Sequence, residues 1–504
     1  MSITATLNIQ QSLEAFLKSV EPQLELGDLS KWDANELKKR EEAIRQAALV
    51  LAGQFIALLL HNLSQNPAAQ EEAKNRTESS RGFGSRSTGK QSITITTVGN
   101  VTVELNVSHI FVPSNSKPKR KRKPGKRGKP SGRSFYPLLR WLGMEEQVTP
   151  LVWTTVASQG MLSSSFAAAQ SNLASWGIEL SEQRIERLTY CFGRIGVGLT
   201  EQWMEQMQNE ELPTGETFKG QRVCTHADGG RTRIRRNNKG KRRASKRRGY
   251  HGQWREPKLL SIYAVDEEGE RINTIVMPVV NDGTFGDVEV FMNLLEMYFV
   301  KLGVVHATQV LLVCDGALWI WQRIPALLQK LGVPPEKIVE LIDFYHATEH
   351  LNDWAKIAFG NAAEAKQWFE KARSELKAGK LEQLLEFMKQ KQEQCRSKEK
   401  RKLLEKALNY FQEQPQRFAY DKVLAMKLPI GSGAIESLIR QVVNLRLKGN
   451  GKFWLEEHAE IMIHGRCQWA AGHWDEFCSR VLTAKLDPRP AREVYERADE
   501  RAAA

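Results

Sequence analysis

Three carboxylates in this chain stand where an α/β sheet presents its chemistry. Arg222-Val-Cys-Thr-His-Ala-Asp228 and Gln309-Val-Leu-Leu-Val-Cys-Asp315 each read as a strand ending in Asp and followed by Gly. Acidic residues at the C-terminal ends of such strands line the usual crevice of an open α/β sheet. Glu436 lies near the start of a helix opened by Pro429-Ile-Gly-Ser-Gly433, with Ser432 at its N-cap. It is off the apolar stripe of Ile435, Leu438, Ile439 and Val442 and on the side of Arg440. Hard divalent cations require several carboxylate oxygens with positions left open for phosphate and water. Two strand-end aspartates and one helical glutamate would supply them, and paired ions would then serve the attacking and leaving oxygens of an in-line phosphoryl transfer. Singly, each signal is weak: Asp-Gly forms turns, and Glu favours helix starts. The weight lies in the set, spaced by 87 residues (315 − 228) and 121 residues (436 − 315).

Asp343-Phe-Tyr-His346-Ala-Thr-Glu-His350 forms a second cluster. Asp343, His346 and His350 fall at i, i+3 and i+7, one face of a helix, and would wall the same site, with His346 meeting a phosphate or ordering a catalytic acid. The ligand types also suit zinc, but no second ligand pair has zinc spacing.

The elements that must position these groups follow from periodicity. Lys258–Val265 and Arg271–Val280 read as two further strands around the turn Asp266-Glu-Glu-Gly269, making an antiparallel meander with the Asp228 strand. Phe285–Leu302 and Ala317–Leu331 have helical spacing, and Lys337–Asp343 is another strand ending in Asp. The order β-β-β-α-β-α-β-α, with acids ending the first and fourth strands, is an RNase H-like arrangement. Residues from about 344 to 420 are helical throughout and read as an insertion before the Glu436 helix.

Upstream, residues 1–80 are a helical region. Within 81–134, after a linker over Thr77–Lys90, two alternating strands flank Gly99-Asn100 as a hairpin, followed by an extended basic arm. Residues 135–215 are helical; the pair around Gly177 reads as packed helices, with a helix-turn-helix as the alternative. The remaining divisions are 216–345 and 426–480 for the two parts of the core, 346–425 for the insertion, and a tail at 481–504. The expected class is therefore α/β: an RNase H-like core with a helical insertion, plus helical and small β-hairpin N-terminal regions that would bind DNA.

The net charge of +14 is unevenly spread. Lys117–Arg133, with Lys119, Arg120, Lys121 and Arg122, carries ten basic residues and no acid. Arg231–Arg248 carries eleven: among them Arg231, Arg233, Arg235, Arg236, Lys241, Arg242, Arg243, Lys246, Arg247 and Arg248. Without these 21 charges the remainder is −7 (14 − 21). Concentrated cations on a mildly acidic body favour a polyanion, through counterion release at each phosphate. The second run directly follows Asp228 and would track a phosphate backbone rather than read bases. Trp254, Trp319 and Trp321 are candidates for stacking on unpaired bases, packing being the commoner use of Trp. The six cysteines are scattered without a C-x-x-C pair, which argues for a reducing cytosol and against a disulfide scaffold or zinc ribbon. No export signal or uninterrupted apolar span of membrane length is evident, so the expected location is cytoplasmic, with the nucleoid.

Taken together, His-Ala-Asp228-Gly, Val-Cys-Asp315-Gly-Ala-Leu-Trp-Ile, Asp343-Phe-Tyr-His346-Ala-Thr-Glu-His-Leu and Ile-Gly-Ser-Gly-Ala-Ile-Glu436-Ser resemble the DDE transposases of bacterial insertion sequences of the ISKra type. Val443-Asn-Leu-Arg-Leu-Lys-Gly-Asn-Gly451, Trp454 and Gly472-His-Trp-Asp-Glu-Phe477 extend the likeness, which covers about 135–480, and Asp343-x-x-His346 also resembles the Mutator-like signature. The resemblance implies an RNase H-like core, dependence on Mg²⁺ or Mn²⁺, recognition of terminal inverted repeats in double-stranded DNA, strand cleavage and joining, and a homodimer or larger assembly. Asp228, Asp315 and Glu436 match its catalytic, metal-holding triad, and Asp343 and His346 its accessory catalytic motif. Related chains often carry a Cys-rich, zinc-binding-like segment after the hairpin. Here Lys117–Arg133 stands in that place, so recognition there is expected to be electrostatic. The rival readings are an RNase H-like nuclease or resolvase that cuts without joining, and a retired transposase that only binds DNA.

Overall fold

The computed structural model describes residues 2–3, 8–113, 132–144, 146–237 and 249–484. Two compact units emerge, one of residues 1–195 with 478–504, the other of residues 196–477. The seven sequence divisions thus gather into two bodies, the first divide falling within the helical 135–215 stretch.

In the first unit, Arg86–Thr96 and Thr102–Pro113 form the expected hairpin, with Thr96 opposite Thr102. Its turn places Gly99 and Asn100 at positive φ, 69° and 55°. The first strand begins inside the expected Thr77–Lys90 linker. Side chains there are polar and exposed, so alternation gives no signal, yet backbone pairing persists through Arg86–Phe111 and Ser87–Ile110, with a bulge before Lys90. Gly132–Phe135 adds an antiparallel strand, and Ser2–Ile3 a short parallel one. The helix Ala34–Gln65 crosses the hairpin turn at Gly53. A side chain at Gly53 or Gly99 would collide with backbone there, so the close approach requires glycine at both. Ala34–Gln65 has the length and apolarity to cross a membrane; in this fold Gly53, Ala57 and Leu60 are buried in the unit's core.

The second unit is built on a five-stranded mixed sheet, and the chain has a mixed α/β fold. We label its strands β1 (Arg222–Gly229), β2 (Thr232–Asn237), β3 (Tyr250–Arg255), β4 (Lys258–Val265), β5 (Val280–Thr284), β6 (Gln309–Cys314) and β7 (Ile338–Ile342). The sheet order is β7-β6-β1-β4-β5. β7, β6 and β1 are parallel, while β4 and β5 continue the sheet antiparallel from β1. Strands β2 and β3 leave the sheet as a separate two-stranded ribbon.

β6 lies inside the sheet, between β7 and β1, because its side chains suit burial on both faces. Val310, Leu311, Leu312, Val313 and Cys314 are all fully buried, each large aliphatic contributing about 1.5–3 kcal/mol relative to exposure. Helix α1 (Val288–Leu302) covers the sheet with Phe291, Leu294, Leu295, Tyr298 and Phe299, starts on an Asp287 cap and ends at Gly303 with φ 70°. Helix α2 (Leu318–Lys330) follows β6 and buries Ile320, Trp321, Ile324 and Leu328.

The third strand of the meander is displaced from its expected position. Arg271–Val280 was expected as the strand; only Arg271 makes an isolated bridge, to Val265, and pairing resumes at Val280–Thr284. The apolar run Ile275-Val276 is instead an exposed turn, at 78% and 81% accessibility, closed by Thr274 N–H to Met277 O. Pro278 has no N–H to give to a ladder. The stretch after β7 is helical as expected: α3 (Phe344–Ala358), then helices at Ala362–Lys377, Leu381–Glu393, Lys398–Gln412 and Tyr420–Ala425. Glu436 rides on α4 (Gly433–Ile439), which packs against β1 and β4, and α5 (Glu456–Ala470) packs against β5.

Candidate active site

The strand register lines up three aspartates. Gln309 pairs with Arg222, an offset of 87 (309 − 222), which is also the separation of Asp315 from Asp228. Val310 pairs with Ile338, an offset of 28, which is also the separation of Asp343 from Asp315. Asp228, Asp315 and Asp343 therefore occupy one row across the C-terminal ends of three neighbouring parallel strands. Successive strands lie about 4.8 Å apart.

The three differ in what their carboxylates do. Asp228 is half-buried and its Oδ1 accepts from Gly229 N–H at 2.5 Å. Burial pushes its pKa up to about 6, with repulsion from Asp315, Glu256 and Glu436 adding to the rise. Asp315, also half-buried, uses Oδ1 to close the turn into α2 by accepting from Ala317 N–H at 3.0 Å. Asp343 is fully buried and caps α3, accepting from His346 N–H at 2.6 Å through Oδ1. Its Oδ2 accepts from Ser432 N–H. Phe344 N–H donates to Ile430 O at 3.0 Å beside it. Both oxygens of Asp343 are thus engaged, Oδ1 in capping α3 and Oδ2 in tying the end of β7 to the loop that delivers α4. Ser432 stands at the helix start, but its hydroxyl does not cap the backbone.

On α4, Ile435, Leu438 and Ile439 are buried and Glu436 is exposed, as the stripe predicts. Partial desolvation raises the Glu436 pKa, with Asp343 and Glu349 reinforcing it; Ser432 and His346 act in the opposite sense. His346 lies 3.9 Å from Glu349 and packs edge-on against His350. His350 stacks on Tyr410 at 4.0 Å.

Several contributors escape sequence reasoning. Glu256 precedes β4, whose antiparallel pairing returns the chain to the end of β1; its carboxylate fills the space left by Gly229. Tyr410 comes from the insertion helix Lys398–Gln412 and lies against Gly316, where a Cβ would come within 2.8 Å of its ring. Its buried hydroxyl has no hydrogen-bond partner among the described residues, and burial raises its pKa, with Asp315 and Asp343 contributing. Trp321 is buried and donates its indole N–H to Asp315 O at 2.9 Å, while Trp319 packs edge-on against Phe291. Trp321 thus holds the turn around Asp315 and Trp319 packs α2 against α1, whereas Trp254 is 52% exposed.

His226 is fully buried two residues before Asp228. Its Nδ1 lies 2.9 Å from Val313 O and its Nε2 2.9 Å from the Tyr263 hydroxyl. A carbonyl can only accept, so Nδ1 carries the proton and Nε2 accepts from tyrosine. The ring staples β1 to β6 and β4 just beneath the acidic row. Burial lowers its pKa to about 4. The unfolded chain binds that proton near pH 6.5 and the folded one only near 4. This contribution to stability is therefore complete above about pH 6.5 and is lost as pH falls towards 4, by about 3 kcal/mol in all. Asp228, with its raised pKa, acts in the opposite direction, favouring the fold below about pH 6. Urea midpoints should show His226→Gln destabilised by about 2 kcal/mol at pH 7.5 and lacking the His226 share of the acid-side slope. An unchanged slope would rule out His226 as its source.

The donor types suit a hard divalent cation: carboxylate oxygens whose mutual repulsion calls for positive charge. Among the described residues, no three His, Cys, Asp or Glu side chains form a closed metal-holding group. Asp228, Asp315 and Glu436 share one electrostatic neighbourhood and are the residues that would hold the ion. Of the expected nucleic-acid contacts, Arg231, Arg233, Arg235 and Arg236 lie on or beside β2. Lys119, Arg120, Lys121, Arg122, Lys241, Arg242, Arg243, Lys246, Arg247 and Arg248 lie outside the described residues. Comparison of the chain with protein-family models found no match, and comparison with curated proteins found none.

Proposed function

We propose that this chain is a DDE transposase with an RNase H-like core, cutting and joining DNA at the terminal inverted repeats of an insertion sequence. One observation carries the reading. Asp228 and Asp315 stand in register at the ends of adjacent parallel strands, α4 packs against β1 and β4 and carries Glu436 within electrostatic reach of Asp228, and an arginine-bearing ribbon springs from the same edge. The sheet order β7-β6-β1-β4-β5, antiparallel on one side and parallel on the other, is consistent with the RNase H-like part of this reading and supports it. The helices between β7 and α4 occupy the place of the expected insertion.

In this reading, Asp228, Asp315 and Glu436 hold Mg²⁺ or Mn²⁺. The ion supplies Lewis-acid stabilisation of phosphoryl-transfer charge. Asp343 positions rather than ligates, since backbone N–H groups occupy both its oxygens. His346 sits near Glu436 and acts against the rise in its pKa. Arg231, Arg233, Arg235 and Arg236 hold the DNA backbone across the carboxylate edge. Acting on two element ends calls for a dimer or larger assembly, working in the cytoplasm on the nucleoid.

The test is incubation of the full chain with labelled duplexes carrying the inverted repeats that flank its gene. Mg²⁺-dependent nicks at the repeat ends and covalently joined products are expected. Nicks without joining would replace the reading by a nuclease or resolvase. Metal-independent binding with no cleavage under Mg²⁺ or Mn²⁺ would replace it by a DNA-binding protein.

A further inference from the structure

We infer that the outer face of the β2–β3 ribbon is a stacking platform for unpaired DNA bases next to the carboxylate edge. This rests on the reading that the carboxylate edge acts on DNA, and it names the form of DNA held there. Residues directly opposite on antiparallel strands share a face. Arg233 is opposite Trp254, Arg235 opposite Gly252 and Asn237 opposite Tyr250. The other face carries Thr232 and Ile234, both fully buried. The ribbon is therefore anchored through the start of β2, His251 and Gln253 on that face being exposed, and the arginine–aromatic side is turned outward.

A third ring joins this face from far along the chain. Trp454 extends the ribbon, donating its N–H to Arg233 O at 3.1 Å and accepting from Arg235 N–H at 2.8 Å. That pairing brings in Phe453, whose ring lies over Gly252; a Cβ at Gly252 would come within 2.9 Å of it. Phe453 and Tyr250 pack with centroids 5.4 Å apart. The arginines interleave: Arg233 lies 4.9 Å from the Trp254 ring and 5.5 Å from Phe453, Arg231 5.7 Å from Trp254, and Arg235 5.9 Å from Tyr250.

This composition favours bases over a duplex backbone. Phosphates need only the cations. Here Trp254 and Tyr250 are also exposed, at 52% and 45%, on a ribbon anchored through Thr232 and Ile234. Large rings left in water beside guanidinium groups are what successive unstacked bases cover, because every base has a π-face and each stack is sequence-tolerant. Cation–ring contact holds the guanidinium planes in place while leaving donors for phosphate oxygens. The platform is also close to the site: Trp254 is opposite Arg233, five residues after Asp228, at most about 18 Å of extended chain.

Anisotropy measurements on the full chain in EDTA test this, using a labelled ten-nucleotide oligo(dT), a blunt duplex, and the same duplex with a three-nucleotide unpaired flap. Trp254→Ala and Phe453→Ala should each weaken oligo(dT) and flap binding about five- to hundred-fold, leaving the blunt duplex within about twofold. Trp254→Phe should retain most of the affinity. Arg233→Ala should weaken all three ligands and reduce the salt slope by about one. Tyr250→Ala, at an exposed position, provides the same readout should Phe453→Ala unfold. Equal losses on blunt and unpaired DNA, or no loss on either, would overturn the inference. Binding without metal separates the two ideas: a chain that holds flaps through Trp254 but never cuts keeps the platform and loses the transposase reading.

Discussion

Asp315→Asn should abolish Mg²⁺-dependent strand cleavage, lowering its rate by about three orders of magnitude or more, some 4 kcal/mol of activation free energy. Asparagine is the informative replacement. Asp315 Oδ1 closes the turn into α2 by accepting from Ala317 N–H, and an amide oxygen can do the same. Trp321 bonds the backbone carbonyl of this residue, not its side chain. The fold should therefore survive, while one negative charge leaves the edge. DNA binding in EDTA should stay level or tighten slightly, since a carboxylate facing phosphate is repulsive. Cleavage within tenfold of the unmodified chain would remove Asp315 from the catalytic set. Loss of binding together with cleavage would point to a structural effect.

The second large effect is expected at Asp343. This carboxylate is 1% exposed and accepts from two backbone N–H groups on different elements, those of His346 and Ser432. Asp343→Ala removes a helix cap, worth about 1 kcal/mol. It also leaves a buried N–H without its charged acceptor, at about 1–3 kcal/mol. Together these amount to about 2–4 kcal/mol, readable as a lowered urea midpoint at unchanged slope. Cleavage should fall as well, because the Ser432 bond fixes the approach of α4 and so the place of Glu436. Asp343→Asn separates the two roles. Its amide oxygen can still cap α3, but its NH₂ faces Ser432 N–H, so stability should recover in part while cleavage stays low. A directly ligating role would instead show as an Asn variant whose activity is restored by raising the metal concentration. No change in either stability or cleavage for Asp343→Ala would sink the positioning role.

The strands ending in Asp228, Asp315 and Asp343 were legible because each combines an apolar run with a turn-forming end, both local properties. So were the Glu436 stripe and the helical character of the insertion. The displaced meander strand was not. Ile275-Val276 has strand chemistry, but Pro278 and the Thr274 turn leave it exposed. The early start of the hairpin was hidden for the opposite reason: Arg86–Gln91 is held by backbone pairing and polar contacts such as Thr88 with His109, and its side chains show no apolar–polar alternation.

His226, Glu256, Tyr410 and Phe453 each took on meaning only from a partner distant in sequence. His226 meets Val313 and Tyr263, Tyr410 meets Gly316, and Phe453 lies over Gly252. Nothing local distinguishes a stapling histidine from a surface one, or a platform phenylalanine from one in the core.

By itself the sequence determined which residues have the chemistry: carboxylates at strand ends, a glutamate off a helix stripe, and cations gathered beside Asp228. Those are consequences of residue type and short-range periodicity. Tertiary structure decided how they meet. The 87 and 28 residues separating the aspartates are only intervals until parallel pairing sets strand offsets of the same size and brings the three side by side. It also gave neighbouring aspartates different work. Asp343 reaches the backbone N–H groups that engage both its oxygens, while Asp228 and Asp315 each accept one local N–H and keep the remaining oxygen for the edge. Which oxygens stay open depends on which backbone donors lie within about 3 Å, a property of the assembled sheet and not of any one segment.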